Sequence, residues 1–152
     1  MKQITRIVLQ GEWAAGSEVD FVELDAGDRH RRRVVLVGEH GATYLLNLPR
    51  PRQLRDGDGL VLEDGAVVRV TGKVEPLVEI TAASPSALAR IAWHIGNRHT
   101  DVQVMEDALR IRRDHVLEEM LRGLDAFLEP LDAPFDPEPG AYAGHGSGHA
   151  HE

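Results

Sequence analysis

The chain has 152 residues and a formal net charge of −8, which fits one ordinary domain or two small ones and excludes nucleic-acid binding through a broad basic surface, since neutralising phosphates needs clustered Lys and Arg. Hydrophobic residues make up 42% and aromatics only 5%, so the class is globular and Val, Leu and Ile must supply most of the core. Cysteine is absent, which excludes a disulfide framework, a thiolate zinc site and an iron–sulfur cluster; the start Met1-Lys2-Gln3-Ile4-Thr5-Arg6 lacks the apolar stretch of a signal peptide, no run approaches the roughly 20 apolar residues of a membrane span, and a cytoplasmic location is expected.

The first half reads as β. Residues 5–9 alternate weakly, residues 33–37 form an apolar run after charged residues, and residues 43–48 make another short strand. Leu60-Val61-Leu62-Glu63 and Ala66-Val67-Val68-Arg69-Val70 flank Asp64-Gly65, a strong hairpin signal. Short strands with frequent turns predict a small barrel or sandwich up to about Gly72. Asp56-Gly57-Asp58-Gly59 is read as a turn and not a calcium loop, because Leu60 and Val67 fall where such a loop needs oxygen ligands.

Beyond residue 73 the period changes. Residues 74–80 read as a strand. Ser84-Pro85 predicts an N-cap followed by proline at the first helical position. Leu88, Ile91, Ala92 and Ile95 form one apolar stripe at helical spacing, with Gly96-Asn97 as the C-terminal stop. Residues 102–105 and 109–111 read as short strands joined by Glu106-Asp107. Asp114 can cap a second helix with the stripe Leu117, Met120, Leu121 and Leu124, and a last strand is predicted over 127–131. The order β-α-β-β-α-β is ferredoxin-like, so the fold class is α+β. From about Pro134, Pro, Gly, Ala and His dominate. Such a segment is expected to bury too little apolar surface to order itself, with residues 140–152 mobile.

Histidine carries the chemistry. His99 closes the run Trp93-His94-Ile95-Gly96-Asn97-Arg98-His99, and the chain ends in Gly144-His145-Gly146-Ser147-Gly148-His149-Ala150-His151-Glu152. Imidazole is a good ligand for nickel, zinc and copper. A histidine beside a rigid element, with others on a Gly/Ser tail, suits capture and hand-over of a metal better than permanent burial. On one continuous helix His94 and His99 would point about 140° apart, so each needs partners from elsewhere. A site shared across a two-fold axis and an ordinary polar helix end both remain open for them.

His115 follows the capping Asp114. The positive helix end keeps its ring neutral but also opposes a bound cation, so a ligand and a residue bonded to Asp114 are both compatible. His145, His149 and His151 are interrupted by Gly, Ser and Ala, which favours native metal capture over an expression tag. Arg29-His30-Arg31-Arg32-Arg33 is a basic block whose simpler reading is the solvated start of a strand, the alternative being contact with an acidic partner or polyanion. There is no His-Glu-x-x-His motif and no P-loop, and nothing supplies an obvious general base beside a metal.

These motifs together resemble the UreE family of urease accessory proteins, which are nickel metallochaperones. The resemblance covers nearly the whole chain. Its strongest part is the run from Trp93 to His99, similar to the family's aromatic-His-Leu/Ile-Gly-Asn-Arg-His. Asp114-His115-Val116-Leu117 resembles a family segment at the expected distance. Pro134-Phe135-Asp136-Pro137-Glu138-Pro139-Gly140-Ala141-Tyr142 and Leu54-Arg55-Asp56-Gly57-Asp58 are similar as well.

The resemblance implies a homodimer with a partner-interacting β domain over residues 1–72. It also implies a dimerising, metal-binding ferredoxin-like domain over 73–136 and a flexible His-containing tail over 137–152. His99 matches the family's interfacial nickel ligand, one copy from each subunit. His115 matches a peripheral metal-binding histidine of some members; where some of those carry a second histidine two residues earlier, this chain has Arg113, so a paired site is not expected. With only His145, His149 and His151 in the tail, bulk storage is not expected, and whether they complete the coordination at His99 stays open. The implied cargo is Ni(II), with Zn(II) or Cu(II) able to bind in vitro. The implied partners are a second copy of the chain, the accessory GTPase UreG and the apo-urease maturation complex, with no nucleic acid, no membrane and no covalent chemistry. The competing expectations are a metal-dependent hydrolase using His99 and His115, and a scaffold acting through the N-terminal domain.

Overall fold

A computed structural model of the chain describes residues 1–139. It contains two compact units, Met1–Lys73 and Val74–Glu138. The first holds β1 (Lys2–Val8), β2 (Asp20–Leu24), β3 (His30–Val37), β4 (Thr43–Gln53), β5 (Gly59–Leu62) and β6 (Val67–Gly72); the second holds β7 (Val74–Thr81), α1 (Pro85–Asn97), β8 (Gln103–Val104), β9 (Leu109–Arg112), α2 (His115–Gly123) and β10 (Phe127–Pro134). Among the described residues no helix is long and apolar enough to cross a membrane.

In the first unit the strands run in the order β2-β6-β5-β1-β4-β3. β1 is the hinge of this arrangement: Lys2 and Gln3 pair in parallel with β4, and from Ile4 the strand pairs antiparallel with β5, with an irregularity between Ile4 and Arg6. Such a bulge bends a strand and lets it serve two partners. Leu46, Leu54, Leu60, Val68 and Val70 form the buried centre.

The predicted hairpin is present: β5 pairs antiparallel with β6, Gly65 has φ +88, a conformation that side chains resist, and Asp64 Oδ1 accepts from Ala66 N–H at 2.9 Å. The Asp56–Asp58 stretch is the predicted turn, with Asp58 Oδ2 accepting from Arg55 N–H and Asp56 Oδ1 from Gly72 N–H, each at 2.9 Å.

Two features of this unit escape the sequence patterns. β2 carries no apolar alternation in the sequence, because its inward positions are Asp20 and Val22, both buried, and an inward aspartate breaks the pattern. Asp20 is satisfied by Tyr44 Oη–H at 2.6 Å and by the N–H groups of Phe21 and His40. Burial alone would raise its pKa, yet these donors hold the carboxyl below its ordinary value. Burial and Asp20 together push the Tyr44 hydroxyl up to about 12. β4 also outruns its prediction by passing Pro49 and Pro51, which an internal ladder would not tolerate. Arg31 pairs with Arg52 and Arg33 with Asn47, so β4 advances five residues (47 to 52) while β3 advances two (31 to 33), and the prolines fall in the resulting bulge.

The second unit is a four-stranded antiparallel sheet in the order β10-β7-β9-β8. In βαββαβ numbering this is fourth-first-third-second, the ferredoxin-like arrangement the sequence order predicts. Ile91 and Ile95 of α1 and Leu117 and Leu121 of α2 pack on Val78, Ile80, Leu109 and Ile111 of the sheet. Each such side chain contributes about 1.5–3 kcal/mol on burial. Leu124 is corrected from the α2 stripe: it caps the helix and is exposed.

The expected loss of order from Pro134 is also corrected. Phe135 is 0% exposed and the Arg112 guanidinium lies 4.7 Å from its ring centroid, so a single aromatic anchors a segment whose average composition is poor. Asp136 N–H then donates to Gln103 Oε1 and Glu138 N–H to Val102 O. This strap leads from the β10 edge of the sheet to the β8 edge. The mobility expected for residues 140–152, and with it His145, His149 and His151, lies outside the described residues.

Candidate metal centre

α1 begins as predicted. Ser84 Oγ accepts from Ala87 N–H at 3.1 Å with Pro85 in the first turn, satisfying a free amide donor of the helix start. Its end differs from the expectation. Gly96 stays inside the helix, Arg98 is the C-cap, and the left-handed residue is His99, with φ 55. Arg98 and His99 donate their N–H groups to Ile95 O and Gly96 O, at 3.0 and 3.1 Å. A left-handed position usually goes to glycine or asparagine; a histidine there accepts backbone strain of the kind that gathers at functional positions.

His99 is therefore off the helix, and the 140° argument for a continuous helix does not apply to it. His99 is exposed and His94 half-buried. His94 stands edge-on to Trp93, with ring centroids 5.1 Å apart. Arg98 Nε donates to Met120 Sδ at 2.9 Å, tying the turn before His99 to α2.

His115 is the first residue of α2 and exposed. Asp114 Oδ1 accepts from Leu117 N–H at 3.0 Å. Beside His115 lies a hollow of about 420 Å³ lined also by Arg113, Asp114, Glu118 and Arg122. Arg113 donates twice to the buried Glu118, at 3.0 and 3.1 Å, and Arg122 approaches the same carboxylate at 3.8 Å.

The arginine hydrogen bonds hold the Glu118 carboxyl below its ordinary value against its burial. Two guanidiniums near His115 repel a cation, and Glu118 is already engaged. Sequence reasoning missed Glu118; the signal was an acid four residues after the capping Asp114, whose N–H donates to Glu118 Oε2 at 2.9 Å.

Among the described residues no three His, Asp or Glu side chains converge as a group able to hold a metal ion. One described chain thus offers His99 and His115 as exposed imidazoles outside any such group.

The model of the UreE urease accessory protein N-terminal domain matches residues 2–72, and that of the UreE C-terminal domain matches residues 75–152. The chain is 50% identical over 151 residues to the "Urease accessory protein UreE" of Bradyrhizobium sp. (strain BTAi1), covering 98% of this chain and 73% of that one. It is 52% identical over 143 residues to the protein of that name in Rhodopseudomonas palustris (strain BisB18), covering 94% and 67%. With the Rhodobacter capsulatus protein of that name it shares 43% identity over 152 residues, covering 99% and 94%.

Proposed function

The chain belongs to the UreE family of urease accessory proteins, and from that premise we propose that it is a nickel carrier that holds Ni(II) between the His99 residues of two copies and delivers it for assembly of the urease active site. The observation that carries this reading is His99 itself, an exposed imidazole in a left-handed turn at the end of a rigid helix. A lone imidazole cannot retain Ni(II), and among the described residues no other side chains complete a set around it. A second copy of the same turn supplies the missing ligand if His99 lies near a two-fold axis.

Trp93 of α1 is 62% exposed and Val116 of α2 is 72% exposed, so each helix has an apolar side chain available to a second copy.

The remaining positions fall to water, carboxylates and the histidines at 145, 149 and 151. Glu138 is bonded to Val102, three residues from His99, and His145 follows seven residues later, a contour of at most about 25 Å. An open shell of exchangeable ligands suits hand-over, because release needs no unfolding. His115 is a weaker, peripheral position under the field of Arg113 and Arg122. Zn(II) and Cu(II) compete in vitro, since imidazole does not select nickel, so nickel choice comes from supply and partners. The carrier acts in the cytoplasm, as a homodimer, with the GTPase UreG and apo-urease as recipients, and performs no covalent chemistry.

Calorimetric titration of Ni(II) into wild type and His99→Ala, with the oligomeric state fixed by sedimentation, tests the reading. One tight ion per dimer that vanishes in His99→Ala is the expected result. Tight binding unchanged in the variant removes His99 from the centre.

A further inference from the structure

The end of α1 is built around an unfavourable residue. His99 sits at φ 55, where a side chain with a Cβ is disfavoured, and such a residue persists only when its surroundings hold it there. The backbone does so incompletely. His99 N–H donates to Gly96 O at 3.1 Å, the inner bond of a Schellman helix end. The outer bond of that motif would run from Thr100 N–H to Ile95 O. Among the described residues that bond is not formed, and Ile95 O accepts instead from Arg98 N–H at 3.0 Å.

The side chain of Arg98 supplies a further tie. Its Nε–H donates to Met120 Sδ at 2.9 Å, across 22 residues of sequence. Met120 packs against the core of this unit, on the same helix as the buried Leu117 and Leu121. The sulfur is thus fixed to the sheet through α2, and Arg98 carries that constraint to the residue next to His99.

The acceptor is an unusual one. Arg98 is exposed, and Arg110, Arg112, Arg113 and Arg122 of the same unit each reach a carboxylate. A guanidinium bonds more strongly to such a partner, whereas a thioether is a weak acceptor. Among the described residues no ion pair joins Arg98 to a carboxylate within 4.0 Å, although the chain has 25 Asp and Glu. A carboxylate beside His99 would be a competing oxygen ligand for a captured metal. A thioether holds the arginine without adding an anionic one.

We propose that Arg98, anchored on the Met120 sulfur, is the positioning residue of His99: it fixes the left-handed turn and so presents the imidazole to a metal in one orientation. The part that concerns the metal rests on the carrier reading above, and the part that concerns the turn does not.

The test uses the full chain with two substitutions. Met120→Leu keeps an apolar side chain of similar volume and removes the acceptor; Met120→Gln restores an acceptor on a side chain of similar length. In the metal-free protein, the coupling between the N–H and Hα protons of His99, with its Cα shift, reports φ. Both should leave their wild-type values in Met120→Leu and return in Met120→Gln. Calorimetry should show the tight nickel ion at least about tenfold weaker in Met120→Leu, the usual effect of losing a group that orients a ligand, and recovered in Met120→Gln. Melting temperatures should rank the other way, because a half-buried amide is costlier than leucine.

If Met120 only fills space, Met120→Gln is the worse variant in every one of these measurements, and that result overturns the proposal. Wild-type coupling and shift at His99 in Met120→Leu overturn it as well. His99→Ala titrated alongside separates the two readings. Where it abolishes the tight ion, unchanged affinity in Met120→Leu also overturns the proposal. Where nickel ignores His99, the carrier reading fails, and the metal-free spectra alone decide whether Arg98 holds the turn.

Discussion

Glu138 N–H donates to Val102 C=O at 2.8 Å, and Val104 N–H donates to Glu138 Oε2 at 3.4 Å. Thirty-six residues apart in sequence (138 against 102), these groups hold the strap beside the strand that follows His99. The strap's anchor is Phe135, buried under Arg112. Phe135→Ala should cost about 3–5 kcal/mol in a urea melt. It should also release the Glu138 amide to fast hydrogen exchange. A Glu138 amide that stays protected in the variant means that backbone bonds, and not the aromatic, hold the strap.

Asp20 and Tyr44 make stability of the first unit depend on pH at both ends. Tyr44 has its folded pKa raised from 10.0 to about 12. Its contribution is complete below 10.0 and is lost as pH rises through about 12. Asp20 has its folded pKa lowered, burial being outweighed by its donors, so its contribution is complete above the ordinary carboxylate range and is lost as pH falls through the depressed value. Tyr44→Phe should cost about 1–3 kcal/mol at neutral pH by leaving Asp20 Oδ2 without that donor. It should also flatten the alkaline limb in denaturant melts taken across that range. An alkaline limb as steep as wild type assigns it to other groups.

Gly38 guards the same pair. A Cβ there would collide with the Asp20 carboxylate and press on the Tyr44 ring. Gly38→Ala should therefore cost about 1–3 kcal/mol, as overpacking does, and lower the Tyr44 pKa as the hydrogen bond is prised open. Ultraviolet titration of tyrosinate reads the second effect directly, and an unmoved titration would show that the turn yields instead.

Arg113 stands two residues before His115, where an imidazole would give His115 a partner ligand. Arg113→His should add a weak nickel equivalent per subunit that disappears when His115→Ala is added, while the ion proposed for His99 is unaffected. The same change removes two hydrogen bonds from Glu118. Glu118 has a folded pKa lowered first by Arg113, so its contribution is present above the ordinary carboxylate range and is lost on acidification. Acid melts of Arg113→His should show a shallower slope than wild type; equal slopes would mean Arg122 alone sustains the pair.

Much of this protein is determined by local sequence. Ser84-Pro85 and Asp114 cap their helices, Asp64-Gly65 turns its hairpin and the 3.6-residue stripes bury against β7 and β9, because each signal acts within a few residues. The β-α-β-β-α-β order then leaves few packings, and the run ending in His99 together with Asp114-His115 points to the family. Other features needed partners distant in sequence. β2 exists because Tyr44, twenty-four residues away, satisfies Asp20. β4 continues past two prolines because a bulge in its pairing with β3 absorbs them. Phe135 orders a segment of poor composition because Arg112 and the sheet cover it. The left-handed turn that lifts His99 off its helix, and the opposition of Arg31 to Arg52, were likewise decided only by the tertiary structure, since the energy of a buried polar bond, a register or a cap depends on which groups meet and not on their types alone.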